Sequence, residues 1–235
     1  MIYLSASSIK DYLDCPRKYY YRRYFKSLAT PTEALSIGTI VHETLENYWS
    51  SREKALEYAR FKVLEYNIST EGIEKIEKNL ENFFVSFAWM LSQEDSIELD
   101  FSIPFGRDVR IVGKLDRIAE GDLLLDWKTS KQIPNTRSLS LDPQFILYEW
   151  AYERLFGKRP VATFFASLQH GQLKRYERNR NYEDVLLNET IPDVIKAIRN
   201  EQFNPAGIFK YFSPCRNCVF NEVCYNELDS RITSA

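Results

Sequence analysis

Three apolar runs in succession constrain this chain more than any other feature of its sequence. From Ser96 the hydrophobic period becomes that of strands: IELDFSI alternates, Gly106-Arg107-Asp108 marks a turn, VRIVGKLDRIAE follows, Gly121-Asp122 marks a second turn, and LLLDWKTS completes the set. Short alternating runs joined by tight turns predict an antiparallel meander of three strands. Upstream the period is helical. Ser7 or Ser8 is a plausible N-cap for a helix reaching Leu13, Pro16 falls near a break or at the start of the next helix, and a polar turn falls at Thr30-Pro31-Thr32. Ile37, Ile40, Val41, Thr44, Leu45, Tyr48 and Trp49 then recur at helical spacing, with Gly38 allowing close packing, and amphipathic helices follow over 52–66 and 73–91. Downstream, 143–156 reads as a helix stopped by Gly157, 161–169 as a strand rich in β-branched and aromatic residues, and 182–200 as a last helix. The order is α/β, with a mixed central sheet flanked by helices.

At 235 residues, 44% apolar and 27% charged, the chain suits one domain with a good core. The expected division is a mainly helical part over 1–95, a core over 96–202 and a cysteine-rich segment over 203–235. No run of 18 apolar residues occurs, and the N-terminus lacks the layout of a signal peptide, so the expected location is cytoplasmic, with no membrane contact. Lys and Arg number 31 against 33 Asp and Glu, a formal net charge of −2, which excludes nucleic-acid binding through bulk positive charge. Any such binding must be local. Two stretches are locally basic. One runs from Ser5 to Leu28, where Tyr12, Tyr19, Tyr20, Tyr21, Tyr24 and Phe25 interleave with Lys10, Arg17, Lys18, Arg22, Arg23 and Lys26. The other comprises Lys158, Arg159, Lys174, Arg175, Arg178 and Arg180. Rings between cations suit single-stranded nucleic acid, although tyrosines packed inward and solvated arginines account for the same pattern.

The residues that carry chemistry lie on the second and third strands of the meander. The hairpin brings Asp116, in Gly113-Lys114-Leu115-Asp116, and Asp126, in the run ending Asp126-Trp127-Lys128, to one end of the sheet. Strand side chains alternate, so Asp126 and Lys128 share a face and the residue between them offers its carbonyl oxygen. Two carboxylates and a carbonyl are hard ligands suited to Mg²⁺ or Mn²⁺. A lysine beside them can hold a water attacking a phosphodiester and offset charge on phosphorus. Taken singly, Asp-x-Lys also fits two solvated strand ends, and His42, beside the apolar stripe of its helix, also fits a packed histidine. Gln144 and Tyr148, four apart, share one helix face.

In this order, His42, Asp116 after a glycine, Asp126-x-Lys128 and Gln144-x-x-x-Tyr148 resemble the RecB-like branch of the PD-(D/E)xK nuclease superfamily, which includes the CRISPR-associated RecB-like exonucleases and the nuclease domain of AddB. The resemblance runs from about Ser5 to Cys224. It implies a restriction-endonuclease-like core and a metal-dependent DNA nuclease, an exonuclease on single-stranded ends. His42, Asp116, Asp126 and the Trp127 carbonyl would be ligands of one or two divalent ions. Lys128 would assist the nucleophilic water, and Gln144 and Tyr148 would orient the site. Glu98 and Glu43 are candidate auxiliary acids; His170 is given no role. The partners implied are DNA, a helicase or CRISPR adaptation proteins, and further copies of the chain.

Cys215-x-x-Cys218 is followed after five residues by Cys224, and Cys15 stands 200 positions upstream of Cys215. Three clustered thiols and one distant partner suit a cubane, whose corners take ligands from separate elements, better than a zinc ribbon built from two Cys-x-x-Cys knuckles. A Zn(Cys)₄ site and unrelated buried thiols remain alternatives on spacing alone. The resemblance extends to relatives with one cysteine before the core and Cys-x-x-Cys-x₅-Cys after it, which implies a [4Fe–4S] cluster that closes the two ends of the chain together. A catalytically silent iron–sulfur or zinc module that binds DNA or a partner is the competing function. It would be expected to lack a metal ligand or the lysine, and here all are present.

Overall fold

The computed structural model describes residues 1–29 and 32–233, so Thr30 and Pro31 of the expected turn lie outside the described residues. In chain order the elements are β1 (Ile2–Leu4), α1 (Ala6–Asp14), α2 (Pro16–Tyr24), α3 (Glu33–Tyr48), α4 (Arg52–Glu65), α5 (Thr70–Ser86), β2 (Ser96–Pro104), β3 (Val109–Ala119) and β4 (Leu123–Lys128). They continue with α6 (Thr136–Ser140), α7 (Pro143–Phe156), β5 (Ala162–Ser167), β6 (Gln172–Arg175), α8 (Arg180–Val185), α9 (Ile191–Arg199) and α10 (Asn221–Thr233). A π-helical turn over Leu186–Thr190 divides α8 from α9 where one continuous helix was expected. Among the described residues no helix is long and apolar enough to cross a membrane.

The chain forms two compact units. The first comprises 1–32, 104–111 and 180–235; the second comprises 33–103 and 112–179. In the first, β1 runs parallel to the start of β3, with Tyr3 opposite Arg110. Its α1 is capped by Ser5 and not by Ser7 or Ser8, because Ser5 and Ser8 exchange side-chain and backbone bonds as a capping box. Tyr12 donates to the Gln202 carbonyl at 2.7 Å, holding α1 against the segment that follows α9. Buried Tyr21 and Phe220 stand beside the cysteines, and Tyr19 packs against Tyr12 and Phe203.

The second unit carries the meander as expected. β2 pairs with β3, and β3 runs antiparallel to β4 with Arg117 opposite Leu125. β4 then runs parallel to β5 with Asp126 opposite Phe165, the crossover being made by α6 and α7, and β5 turns back on β6. Helices α3, α4 and α5 cover one face. Ile40, Val41, Leu45, Ile76, Leu80, Phe83 and Phe87 meet Leu125, Trp127 and Ala166 of the sheet, and Leu168 just past β5, in one cluster. The Gly38 expectation fails in detail, since a Cβ there would meet Thr129 at 3.6 Å, an ordinary contact. Gly113 is the demanding position. A Cβ would stand 2.5 Å from the Phe101 ring, which lies over it from β2.

One ion pair in this unit is fully withdrawn from water. Arg117, 2% exposed, donates through Nε to Asp95 Oδ2 at 2.8 Å and through Nη2 to the Ser92 carbonyl at 2.8 Å, while its guanidinium stacks 4.2 Å from the Trp49 ring centroid. Asp95 also accepts from the backbone N–H groups of Ser92 and Glu120. Removing one partner strands the other charge. Asp95→Ala is therefore expected to lower stability by about 3–5 kcal/mol, read from urea unfolding; a loss below about 1 kcal/mol would put the pair in the class of exposed ion pairs.

Candidate active site

The alternation of β3 and β4 builds the site. Arg117 and Trp127 turn their side chains to the core, so Asp116, Asp126 and Lys128 turn to the opposite face. Trp127 packs edge-on against Phe83 at 5.4 Å between ring centroids and against Phe87 at 5.7 Å. With its ring anchored, its two backbone polar groups serve the site. The Trp127 N–H donates to Asp116 Oδ2 at 2.9 Å, and its carbonyl oxygen lies 3.0 Å from His42 Nε2. With that bond donated by Nε2–H, the bare Nδ1 of His42 faces Asp116 Oδ2 at 3.7 Å.

The other half of the site comes from α7. Asp142 caps the helix by accepting from Gln144 N–H at 2.8 Å, Pro143 occupies its first turn, and Gly157 ends it at φ 68°. This frame points Gln144 and Tyr148 at β4. Lys128 Nζ donates to Asp126 Oδ1 at 2.9 Å and lies 2.7 Å from Oδ2 of the same carboxylate. Gln144 Nε2 donates to Asp126 Oδ1 at 2.9 Å and to the Tyr148 oxygen at 2.7 Å, while Gln144 Oε1 accepts from Lys128 at 3.3 Å. Phe101, the ring over Gly113, meets Tyr148 edge-on.

The carboxylates therefore divide into two sets. Asp126 is held by Lys128 and Gln144. Among the described residues, His42, Glu98 and Asp116 form a gathering of metal-ligand type, their ligand atoms lying within 4.8 Å of one another. An imidazole nitrogen and two carboxylates this close suit Mg²⁺ or Mn²⁺. Glu98, named from the sequence only as an auxiliary acid, thus enters the set. Strand alternation could not reveal its direction, because Glu98 sits in β2 with φ 50°, the left-handed region. Lys114 Nζ pairs with it at 3.0 Å. Glu43 lies 3.4 Å from Lys62 Nζ, and His170 Nε2 lies 2.8 Å from the Lys131 carbonyl.

Burial raises the Asp116 pKa well above the ordinary aspartate range, and the nearby Asp126 charge adds to it. Burial also raises Glu98, with Lys114 opposing. His42 is lowered by burial and by Lys128, which favours the neutral imidazole. Burial alone would lower Lys128, but Asp126 and Asp116 outweigh it and the net shift is upward, so the ammonium form persists. Tyr148 is raised by burial and by both aspartates, and keeps its proton.

In the first unit, Cys15, Cys215, Cys218 and Cys224 line one cavity walled by Tyr21 and Phe220. The Gly207 N–H points at Cys15 Sγ, 3.4 Å away, and a Cβ on Gly207 would come within 3.3 Å of that sulfur. Burial raises the Cys218 and Cys224 thiols. Much of the N-terminal basic stretch is paired: Lys18 and Arg22 with Asp11, Arg17 with Glu227. Tyr20, Tyr24, Phe25 and Phe203 nevertheless line, with Arg17 and Arg199, a cavity of about 630 Å³. Of the other basic group, Lys158 pairs with Asp122 and Arg159 with Glu153.

The strand-borne Asp126-x-Lys128, Asp116 of the neighbouring strand, His42 of α3 and Gln144-x-x-x-Tyr148 of α7 are thus brought together. The family model of the PD-(D/E)XK nuclease superfamily matches residues 3–225, and the chain belongs to that superfamily. No curated protein matches it. Among solved structures it is similar to a candidate exonuclease from Eubacterium rectale, at 16% identity over 86% of this chain and 83% of that one, with a TM-score of 0.56. It is also similar to SSO0001, at 15% identity over 95% of this chain and 86% of that one, with a TM-score of 0.51. These two likenesses are of fold.

The raised Asp116 has a consequence for stability. Above the ordinary aspartate pKa the unfolded chain releases this proton and the folded chain retains it, so metal-free stability falls as pH rises until the folded group ionises. Asp116→Asn removes that dependence. In EDTA its melting temperature is expected to exceed that of the wild type by a margin that widens from pH 5 to pH 8; a constant or shrinking margin would contradict the assignment.

Proposed function

We propose that this chain is a metal-dependent deoxyribonuclease of the RecB-like branch, an exonuclease acting on single-stranded DNA ends. The observation that carries the reading is the linked network of Lys128, Asp126, Gln144 and Tyr148 beside the His42, Glu98 and Asp116 set. Those three side chains, with Asp126 and the second lone pair of the Trp127 carbonyl, would hold the ion. A bound Mg²⁺ or Mn²⁺ supplies Lewis-acid stabilisation of charge on the phosphate and a lowered pKa for water. Lys128, kept protonated, is no general base; its ammonium holds the attacking water by hydrogen bonding and offsets charge on the phosphate. Gln144 fixes the Asp126 carboxylate and so the direction of that ammonium. Tyr148, with its proton retained, supports Gln144.

The preference for single strands is supported by the cavity of Tyr20, Tyr24, Phe25 and Phe203 edged by Arg17 and Arg199, since stacked rings beside cations take unpaired bases. The reading includes a [4Fe–4S] cluster on Cys15, Cys215, Cys218 and Cys224, supported by the four thiols sharing one cavity and by the Gly207 N–H aimed at the Cys15 sulfur. The three segments of the chain would then work as one nuclease, in the reducing cytoplasm.

Degradation of end-labelled single- and double-stranded DNA by anaerobically purified protein tests the activity. Mn²⁺ or Mg²⁺ is expected to support loss of the single-stranded label and EDTA to stop it. Asp116→Ala and Lys128→Ala should each reduce the rate by a factor on the order of 10² or more; activity that survives both removes the site assignment. Iron and labile sulfide are expected in about fourfold amount per chain, and zinc in their place would replace the cluster assignment. Cys218→Ser should lower the melting temperature by roughly 4–12 °C and reduce activity as a consequence. Unchanged melting with lost cleavage would contradict a structural role.

A further inference from the structure

A phosphodiester at Lys128 has a nucleotide on either side of it, and two cavities adjoin the site, both bordered by His42. One, of about 480 Å³, is lined by Glu43, Glu46 and Glu98 against Lys114, which is already paired with Glu98. The other, of about 500 Å³, is lined by Lys128, Lys131 and Lys75. Its one carboxylate, Glu33, is engaged by the Ser69 N–H at 2.7 Å. Lys75 shares its charge with Glu71, 2.7 Å away, whereas Lys131 is exposed on the segment that leaves β4 just after Lys128. The same wall holds Asn79, 1% exposed, whose Nδ2 donates to the Lys75 carbonyl and whose Oδ1 has no partner. A buried acceptor left unpaired is costly, and a ligand donor can complete it.

We infer that the lysine-lined cavity is the nucleotide subsite of the nuclease. It takes the nucleotide on one side of the scissile phosphate, with Lys131, assisted by Lys75, on the adjoining phosphate and Asn79 beside the base or sugar; the acidic cavity is the metal side. This rests on the nuclease reading and adds the path of the strand. The volume falls within the range of about 300–1,000 Å³ that small-molecule sites occupy, so one nucleotide fits. The lining of one cavity sets three lysines against Glu33 and that of the other sets three glutamates against Lys114, so a phosphate is drawn to the first over the second.

The test is fluorescence anisotropy of a short labelled oligothymidylate with wild-type protein in EDTA, titrated with KCl, beside Lys131→Ala and Glu46→Gln. Lys131→Ala is expected to weaken binding by about five- to tenfold and to reduce the slope of log K against log salt by about one. Glu46→Gln should leave binding equal or tighter. Asn79→Leu should weaken binding without changing the salt slope and without lowering the melting temperature. An unchanged Kd and slope in Lys131→Ala overturns the subsite. So does absence of oligonucleotide binding by the wild type, or equal weakening by Glu46→Gln. Cleavage of DNA in Mn²⁺, measured in parallel, separates the two readings. Cleavage that is indifferent to Lys131 overturns the subsite alone, whereas Lys131-dependent binding without cleavage overturns the nuclease reading alone.

Discussion

The pairing of Arg117 with Asp95 is the constraint on which the site depends. A guanidinium this deeply buried is tolerated because each of its faces is answered: a carboxylate and the Ser92 carbonyl in its plane, and the Trp49 ring above it. That set of contacts fixes one residue of β3 in rotation and in register. Asp116 is its neighbour in sequence, so strand alternation places it on the opposite face. β4 repeats the device with an apolar anchor. The Trp127 ring is locked between Phe83 and Phe87, and its N–H and carbonyl are thereby aimed at Asp116 and His42. Two core-facing side chains thus hold the groups on the face opposite them, which is the support a preorganised site requires.

The site spends this rigidity on an unequal treatment of two carboxylates. Asp126, 1% exposed, has a cation and an amide donor within hydrogen-bond reach. Asp116, 8% exposed, has one backbone N–H and the bare nitrogen of a neutral histidine. Burial costs the charged form in both cases; what differs is the compensation. Asp126 is repaid within the protein and orients Lys128. Asp116, with Glu98 beside it, is left in need of a positive charge, and a divalent cation is the group that would satisfy an imidazole nitrogen and two carboxylates at once. The same division explains why Glu98 tolerates a left-handed backbone in a strand: its carboxylate reaches His42 and Asp116 from there.

How much of this was legible in the sequence depended on whether a local rule governed each residue. The meander, the shared face of Asp126 and Lys128, and the bounds of α7 follow from alternation, from turn residues, and from Asp142-Pro143 and Gly157, and each was readable. Gln144 and Tyr148 needed only helical spacing. By contrast β1, with three residues, and β6, with four, are too short to show a period, and β1 is defined by its pairing with β3. The five-residue α6 rests on its Asn135 cap. Glu98 was undervalued because a positive φ breaks the alternation from which its direction would be read. The N-terminal aromatic run, which composition left open between core and binding surface, divides by residue: Tyr12, Tyr19 and Tyr21 are core, and Tyr20, Tyr24 and Phe25 line a cavity.

A net charge of −2 was no guide to these features, and the reason lies in where the charges stand. Many acids are neutralised locally: Asp95 by Arg117, Asp126 by Lys128, Asp122 by Lys158 and Asp11 by Lys18 and Arg22. In the second unit Glu43, Glu46 and Glu98 line one cavity, while Lys75, Lys128 and Lys131 line its neighbour across His42. A polyanion approaching such a surface senses fields over about 8–10 Å at physiological salt, a range set by local groups and not by the sum over the chain. Acidic and basic walls that meet at one histidine can therefore attract a divalent cation and a phosphate backbone side by side, which a uniformly basic surface could not do.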